Sequence, residues 1–382
     1  MTRPGHHDNS RAVPKPRLVL SANAKPGEGG QGLNLQHMLE AFEPLADVTV
    51  FDQRNVPASR TAAAMSRVPL LKRRIDLHTL ASDVSFDRNV ARRLPPGDVF
   101  QGVVGQCATT LSLAKSRGMR AVLDVVNTHV DDYQEHVTRE SRKFGTPSFI
   151  HPKMRERILR EYAEADVIRV MSPFAARTFE ERGIARSKLV VATPHLNVAD
   201  FPTARFDDPV FRIIFVGLVA PWKGFHLLIE AFDRLKLPGA ELVLWGGTGA
   251  RSIARFIREH QARNPGLLLR PVSIRSAGFA EVYGKASVLV HPSLSDGFAY
   301  VVAEAMASGL PVIVSDNTGA ASLVREGENG FVVPSGNVRA LEEKIEFLYR
   351  HREKLPEMGR RARLAAETLT LESFRAAMAT VL

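Results

Sequence analysis

The chain has 382 residues, 45% hydrophobic and 24% charged, with a formal net charge of +10. That is too long for one ordinary domain and apolar enough for a substantial core, so two α/β domains of somewhat under 200 residues each are expected. No uninterrupted apolar run reaches the roughly 18 residues of a membrane span. Aromatics at 7%, with no helix-turn-helix, zinc-finger or aromatic RNA-binding pattern, argue against nucleic acid as a partner.

Residues 1–15 are polar, lack the apolar core of a signal peptide, and are expected to form a disordered tail of a cytoplasmic protein. A short apolar strand at 17–22 then runs into Gly27, Gly29, Gly30 and Gly32, followed by an amphipathic helix over 33–42. Glycines at such a place allow close backbone approach, and the helix N-terminus offers free N–H groups to a phosphate. Further strands are expected at 48–51, 98–104, 121–126, 167–171 and 189–193, with a highly charged helix at 153–165. The single cysteine, Cys107, excludes a disulfide framework and fits a structural role in a reducing compartment. Residues 1–200 hold 29 Lys and Arg against 22 Asp and Glu. Within them Lys72, Arg73 and Arg74 lie beside aliphatics over 67–75, as a patch for an anionic membrane surface or acceptor, or as a solvated helix face.

Proline, asparagine and aspartate cluster at 194–209, after which a strong strand at 211–217 restarts the alternation. It continues through 241–245, 267–269, 288–290 and 311–315 to an edge strand near 331–333, and 337–382 read as helical. The expected architecture is α/β: two doubly wound, Rossmann-like domains, 16–200 and 208–365, facing a central cleft. A last helical segment, 366–382, can cross back onto the first domain.

Ligands of open α/β sheets sit beyond the carboxyl ends of the strands. Two loops of the second half have the right chemistry there. One is 217–224, where Lys223 precedes a helix; a lysine at a helix N-terminus opposes the dipole unless an anion binds there. The other is 291–311, where a turn holds Asp296 and a helix is expected from about Phe298 through Glu304. Were 296–304 wholly helical, its two carboxylates would be separated by a rise of about 12 Å, comparable to the ribose-to-sugar span of an extended nucleotide-sugar. The plain alternative is an N-capping Asp296 and a surface Glu304.

In order, the chain carries Phe215-Val-Gly-x5-Lys-Gly224, Gly246-Gly247, Pro292-Ser293, Asp296-Gly-Phe298, Glu304-Ala-Met-Ala-Ser-Gly-Leu-Pro-Val-Ile313 and Thr318-Gly319. This series resembles the retaining glycosyltransferases of family 4, which have the GT-B fold. The likeness is strong over 210–350 and thinner before, in the glycine-rich loop, Glu161–Asp166, Ser172 and 194–201. The resemblance implies that Lys223 neutralises the donor diphosphate, that Glu304 binds the ribose, and that Gly297, Phe298 and Ala299 form the turn at sugar and phosphate, with Gly30 contacting the donor from the other domain. Asp296 stands where the family usually has glutamate, and His129 matches an acceptor-domain histidine near the transferred sugar; its alternative is a turn histidine bonded to local backbone.

The family often has arginine at the position of Leu218, and related subgroups have a basic residue at that of Trp222, so the clamp is one charge short. Arg270 or Arg275 are candidate substitutes, and the base is expected to be met by backbone near 271–273. The implied function is metal-independent, retaining transfer of a hexosyl unit from a nucleoside-diphosphate sugar to a glycan, lipid-linked or small-molecule acceptor. Asp131 and Asp132 accordingly mark a helix start and not a metal site. The competing classes are an epimerase or hydrolase of the same fold, and a weakened sugar-nucleotide-binding protein.

Overall fold

The computed structural model describes residues 14–68, 74–146, 150–271 and 281–382. Of the basic patch, only Arg74 lies among them within 72–74, and it is engaged with Asp76 at 2.7 Å. Residues 72, 73, 272, 273 and 275, to which membrane, base and charge-substitute roles were assigned, lie outside the described residues.

Two six-stranded sheets, parallel throughout, form the frame. The first takes β1 (Arg17–Ser21), β2 (Asp47–Phe51), β3 (Val99–Val103), β4 (Arg120–Val125), β5 (Val167–Val170) and β6 (Leu189–Val191) in the order β2-β1-β3-β4-β5-β6. The second takes β7 (Phe211–Val216), β8 (Ala240–Trp245), β9 (Leu267–Arg270), β10 (Val288–His291), β11 (Val312–Ser315) and β12 (Gly330–Val333) in the order β12-β11-β10-β7-β8-β9. Strands with helices on both faces need apolar residues in both directions, hence unbroken runs such as Leu18-Val-Leu20 and Ile213-Ile-Phe-Val216, all at most 1% exposed. Each strand order reverses once, at β1 beside β3 and at β7 beside β10. A crevice opens at such switch points, because successive helices depart to opposite faces.

The helix after β1, α1 (Gly29–Phe42), begins four residues earlier than expected: Gly29, Gly30 and Gly32 form its first turn, and only Gly27 lies in the loop before it. The helices α2 (Arg60–Met65), α3 (Ile75–Arg93), α4 (Ala108–Ser116), α5 (Val130–Lys143), α6 (Pro152–Glu164) and α7 (Pro173–Glu180) complete the described N-terminal half. In the second half come α8 (Phe225–Leu235), α9 (Arg251–Gln261), α10 (Glu281–Gly284), α11 (Tyr300–Ala307), α12 (Val338–Arg350), α13 (Leu355–Ala366) and α14 (Leu371–Ala379). The last returns to the first domain. Phe374, Met378 and Val381 are buried with Leu18, Leu35, Met38 and Phe42. Among the described residues no helix is long and apolar enough to cross a membrane.

The domains also meet beside the cleft. Trp222 is buried against Val137 and Ala220, with its ring edge-on to Tyr133 at 6.4 Å. Close by, His226 of α8 lies 3.2 Å from Glu140 of α5. Against the cost of burial, the nearby His226 and hydrogen bonds from Lys143 and Arg139 hold the Glu140 carboxyl down at about 2.

Candidate functional site

A cleft of about 1920 Å³ lies between the sheets, at their carboxyl edges. Its first wall follows from β7. The strand ends at Val216, Leu218 stands 47% exposed on the cleft, and the chain makes a single 3₁₀ turn, Pro221–Lys223. Gly224 ends that turn at φ 74, and a Cβ there would come within 2.0 Å of the Pro292 carbonyl. No other residue satisfies both conditions. The amide of Leu294 then donates to the Trp222 carbonyl at 2.8 Å, tying the lysine turn to the loop after β10.

That loop is held from all sides. The amides of Asp296 and Gly319 bond the carbonyls of Asn317 and Asp296, both at 3.0 Å. From the N-terminal domain, Ser172 Oγ donates to the Gly297 carbonyl at 2.7 Å, and Thr128 Oγ1 meets Ser295 Oγ at 2.8 Å. Gly297 itself lies against the first domain's backbone: a Cβ would be 2.4 Å from the Val126 carbonyl oxygen and 2.9 Å from Asn127 Cα. Glycine is required here by proximity.

Asp296 is 9% exposed, and its Oδ2 lies 2.5 Å from Lys223 Nζ and 3.0 Å from His291 Nε2. Burial alone would raise its pKa; Lys223 and His291 outweigh that and hold the carboxyl well below the ordinary range. Lys223 thus has its charge matched by Asp296. The helix expected from Phe298 starts at Tyr300, and its N-cap, Ala299, sits in the left-handed region at φ 68. Only 300–304 of the 296–304 stretch is helical, which corrects the basis of the 12 Å estimate. A non-glycine residue at positive φ costs on the order of 1 kcal/mol and persists where its surroundings fix it, commonly at binding sites. Phe298, Ala299, Tyr300 and Val301 all line the cleft.

Glu304 lies one helical turn further, on the cleft wall, and accepts a hydrogen bond from Tyr283 Oη at 2.6 Å. It is therefore not a free surface carboxylate. Tyr283 is fully buried, and burial together with Glu304 pushes its hydroxyl pKa well up, so it remains a donor at neutral pH. Opposite, α1 presents Gly29 and Gly30, and no atom lies within 4 Å of where their Cβ atoms would be.

The structure thus brings Gly30, Lys223, Asp296, Phe298, Ala299 and Glu304 to one cleft, with Gly297 packed behind the loop that lines it. His129 is placed differently. It is 4% exposed and absent from the lining; it caps α5, with Nδ1 accepting from the Asp131 amide at 3.2 Å, and packs on Tyr162 and Phe179 at about 5 Å. Its neighbours Val126 and Asn127 reach the cleft instead. Asp131 is bound by Arg155 at 2.5 Å, and Arg270 is exposed at the end of β9. Cys107 is fully buried, its thiol pKa pushed well up by burial. Among the described residues no group of three or more His, Cys, Asp or Glu is arranged to hold a metal ion.

Three partners escaped sequence reasoning. They are Tyr283 on Glu304, Ser172 on Gly297, and His291 on Asp296. His291, adjoining the Pro292-Ser293 pair, and Ser172, one of the matched positions, carried a local signal; Tyr283 carried none.

Two facing Rossmann-like domains with the site at both switch points define the GT-B class. Residues 199–365, most of the C-terminal domain, match the model of the family of glycosyl transferases group 1. The chain is 34% identical over 141 residues to the capsular polysaccharide biosynthesis glycosyltransferase CapM of Staphylococcus aureus, covering 36% of each chain. It is 25% identical over 255 residues to a D-inositol 3-phosphate glycosyltransferase of Pseudarthrobacter chlorophenolicus, covering 59% of this chain and 60% of that one. The chain thus spans between a third and three fifths of these relatives' length. Among solved structures, sucrose-phosphate synthase from Thermosynechococcus elongatus superposes with a TM-score of 0.73 at 19% identity, over 96% of this chain and 98% of that one. HepE of Anabaena in complex with UDP-glucose gives 0.68 at 16%, over 95% and 98%. At these identities the likeness is one of fold.

Proposed function

We propose that this protein transfers a hexosyl unit from a nucleoside-diphosphate sugar to an acceptor hydroxyl, with retention of anomeric configuration and without a resident metal. The observation that carries the reading is the convergence of Lys223, Asp296 and Glu304 on one edge of the cleft, after adjacent strands β7 and β10 and on the helix that follows. The ribose hydroxyls fit Glu304, which Tyr283 orients. The diphosphate fits between Lys223, the amides at the start of α11 and the glycine turn of α1, where N–H groups aim at developing charge. Asn127 and the packed turn at Gly297 leave the sugar between the domains, with the acceptor entering from the N-terminal side. A glycan acceptor agrees with the printed names of CapM and of the colanic acid glycosyltransferase WcaL, a further relative.

A second reading, a sugar-nucleotide binder of weak activity, is favoured by one finding. Leu218 contributes no charge, and Trp222 is committed to the domain interface. Incubating the protein with a panel of nucleotide-sugars, with and without glycan, lipid-linked and polyol acceptors, separates the two. Nucleoside diphosphate released only with acceptor, and an NMR coupling showing the donor's anomer kept, is the expected result. Release without acceptor would make it a hydrolase, and tight donor binding without turnover a binder.

A further inference from the structure

The donor edge is short of positive charge. Lys223 and Asp296 neutralise each other, positions 218 and 222 add nothing, and a diphosphate brought here would meet a net charge of about zero. Beside them stands His291, which the reading above does not use. It ends β10, is 2% exposed, lines the cleft, and stacks on Phe215 with centroids 6.1 Å apart and planes at 16°. Its Nε2 lies 3.0 Å from the Asp296 oxygen that also takes Lys223. Since that oxygen belongs to an anion and can only accept, Nε2 carries the hydrogen and Nδ1 the lone pair. Nδ1 is buried and has no hydrogen-bond partner among the described residues. A buried polar atom left in this way is destabilising and calls for a reason.

The charged groups facing the ring are Asp296 and Lys223. On its two neighbouring strands, β7 contributes Phe215 and β11 pairs Val314 with it in register. From α5 of the other domain, Asp132 reaches Ser295 at 3.4 Å, and the Tyr133 hydroxyl, its pKa raised chiefly by burial, feels Asp296. Burial keeps the imidazole neutral at ordinary pH, against the pull of Asp296. We propose that His291 is the missing second cation of the diphosphate site: a positioning residue that takes one proton from solvent at Nδ1 as a nucleoside diphosphate binds, and so holds Asp296 while Lys223 turns to the phosphates. The proton balance is simple. One proton leaves the buffer, none is released by Asp296 or Lys223, and the triad rises from neutral to +1 as the anion arrives. The inference rests on the donor-site reading under Proposed function and adds to it a linked protonation.

The test is calorimetry of the full chain with UDP, GDP and ADP at about pH 7.5, in two buffers of different ionisation enthalpy. Wild type is expected to take up a fraction of a proton approaching one, with affinity rising as pH falls from about 8 to about 6.5. The nucleotide's own terminal phosphate, with a pKa near 6, releases protons on binding as the dianion, so net uptake reports the protein. His291→Gln keeps an N–H for Asp296 and cannot be protonated. It is expected to show no uptake, a flat pH dependence, and about tenfold weaker binding at the acid end. Binding without uptake by wild type, or the same uptake in both proteins, overturns the proposal alone. Failure of all three diphosphates to bind overturns it together with the donor site. Should the Gln variant melt early, the wild-type His291 ring resonance decides: conversion to imidazolium on binding supports the proposal, and an unchanged neutral ring overturns it.

Discussion

The two walls of the cleft are built on opposite principles. The wall of the C-terminal domain is locked: the loop 292–299 is bonded to the 222 turn, to 315–319 and to Ser172 and Thr128 of the other domain, and Gly297 touches foreign backbone. The wall of the N-terminal domain, at the head of α1, is open: Glu28 makes no side-chain cap, and nothing lies within 4 Å of a Cβ at Gly29 or Gly30. One wall is preorganised before a ligand arrives, and the other leaves its first N–H groups for the ligand to satisfy. The most damaging substitution should therefore fall on the locked wall. Gly297→Ala places a methyl 2.4 Å from the Val126 carbonyl oxygen, and neither backbone can yield without parting the domains. A misplacement of about 1 Å at a reacting centre costs on the order of 100-fold, so turnover should fall at least that far while far-UV circular dichroism is unchanged. Near wild-type rates would show that the wall is not locked.

The next effect sharpens what the lock consists of. Lys223→Ala leaves the buried Asp296 anion with His291 alone, and breaking a buried pair in this way costs about 3 kcal/mol. Donor affinity should fall as well. Adding Asp296→Asn removes the stranded charge, so the double variant should be more stable than Lys223→Ala. Chemical denaturation of the four proteins measures the coupling. Strict additivity would mean that the 2.5 Å contact carries no energy.

How much of this was legible beforehand follows the same division. The succession of strands and helices along the chain, the place of the glycine cluster, Lys223 and the 291–311 loop depend on neighbours in sequence, where periodicity and turn chemistry act. The helix start was misplaced by two residues, because the φ of 68 at Ala299 is imposed by surroundings that an alanine does not announce. The contacts that lock the wall were illegible. Ser172 to Gly297 spans 125 residues and Thr128 to Ser295 spans 167, and no local pattern encodes them. Trp222 shows the limit well: sequence registers a missing cation, while the structure registers an aromatic spent on Tyr133 and Val137. His129 marks the same limit in the other half, where a residue matched by motif is buried as a helix cap.

Two sets of buried carboxyls should also answer pH with opposite signs. In the N-terminal domain burial raises Asp83 from 3.8 to about 6 and Glu161 from 4.5 to about 7. Both bind protons more tightly folded than unfolded, so their contribution is greatest in acid and is lost as pH rises through about 4 to 7. At the interface and donor wall Glu140 and Asp296 are depressed, so their contribution is present at neutral pH and is lost as pH falls below about 4. Replacing Glu161 by Gln should therefore flatten the neutral limb, by on the order of 2 kcal/mol between pH 5 and 7.5, and leave the acid limb alone. Thermal melts of both proteins across that range check the sign. A wild-type neutral limb that rises with pH would contradict the assignment.

The smallest effect tests the open wall. Gly30 lies in the first turn of α1 with a free space beside it, and its φ is not among the positive ones. Alanine there removes backbone freedom from the unfolded chain and suits a helix better, so Gly30→Ala should stabilise the protein by about 0.5–1 kcal/mol. The same methyl projects into the space that the donor phosphates need if the amides of this turn bind them. Stability should rise while donor affinity falls, a divergence that damage to the fold cannot produce. If both rise together, the phosphates lie elsewhere and the open wall belongs to the acceptor. If the melting temperature falls instead, the turn is more tightly packed than the bare space around its Cβ positions implies.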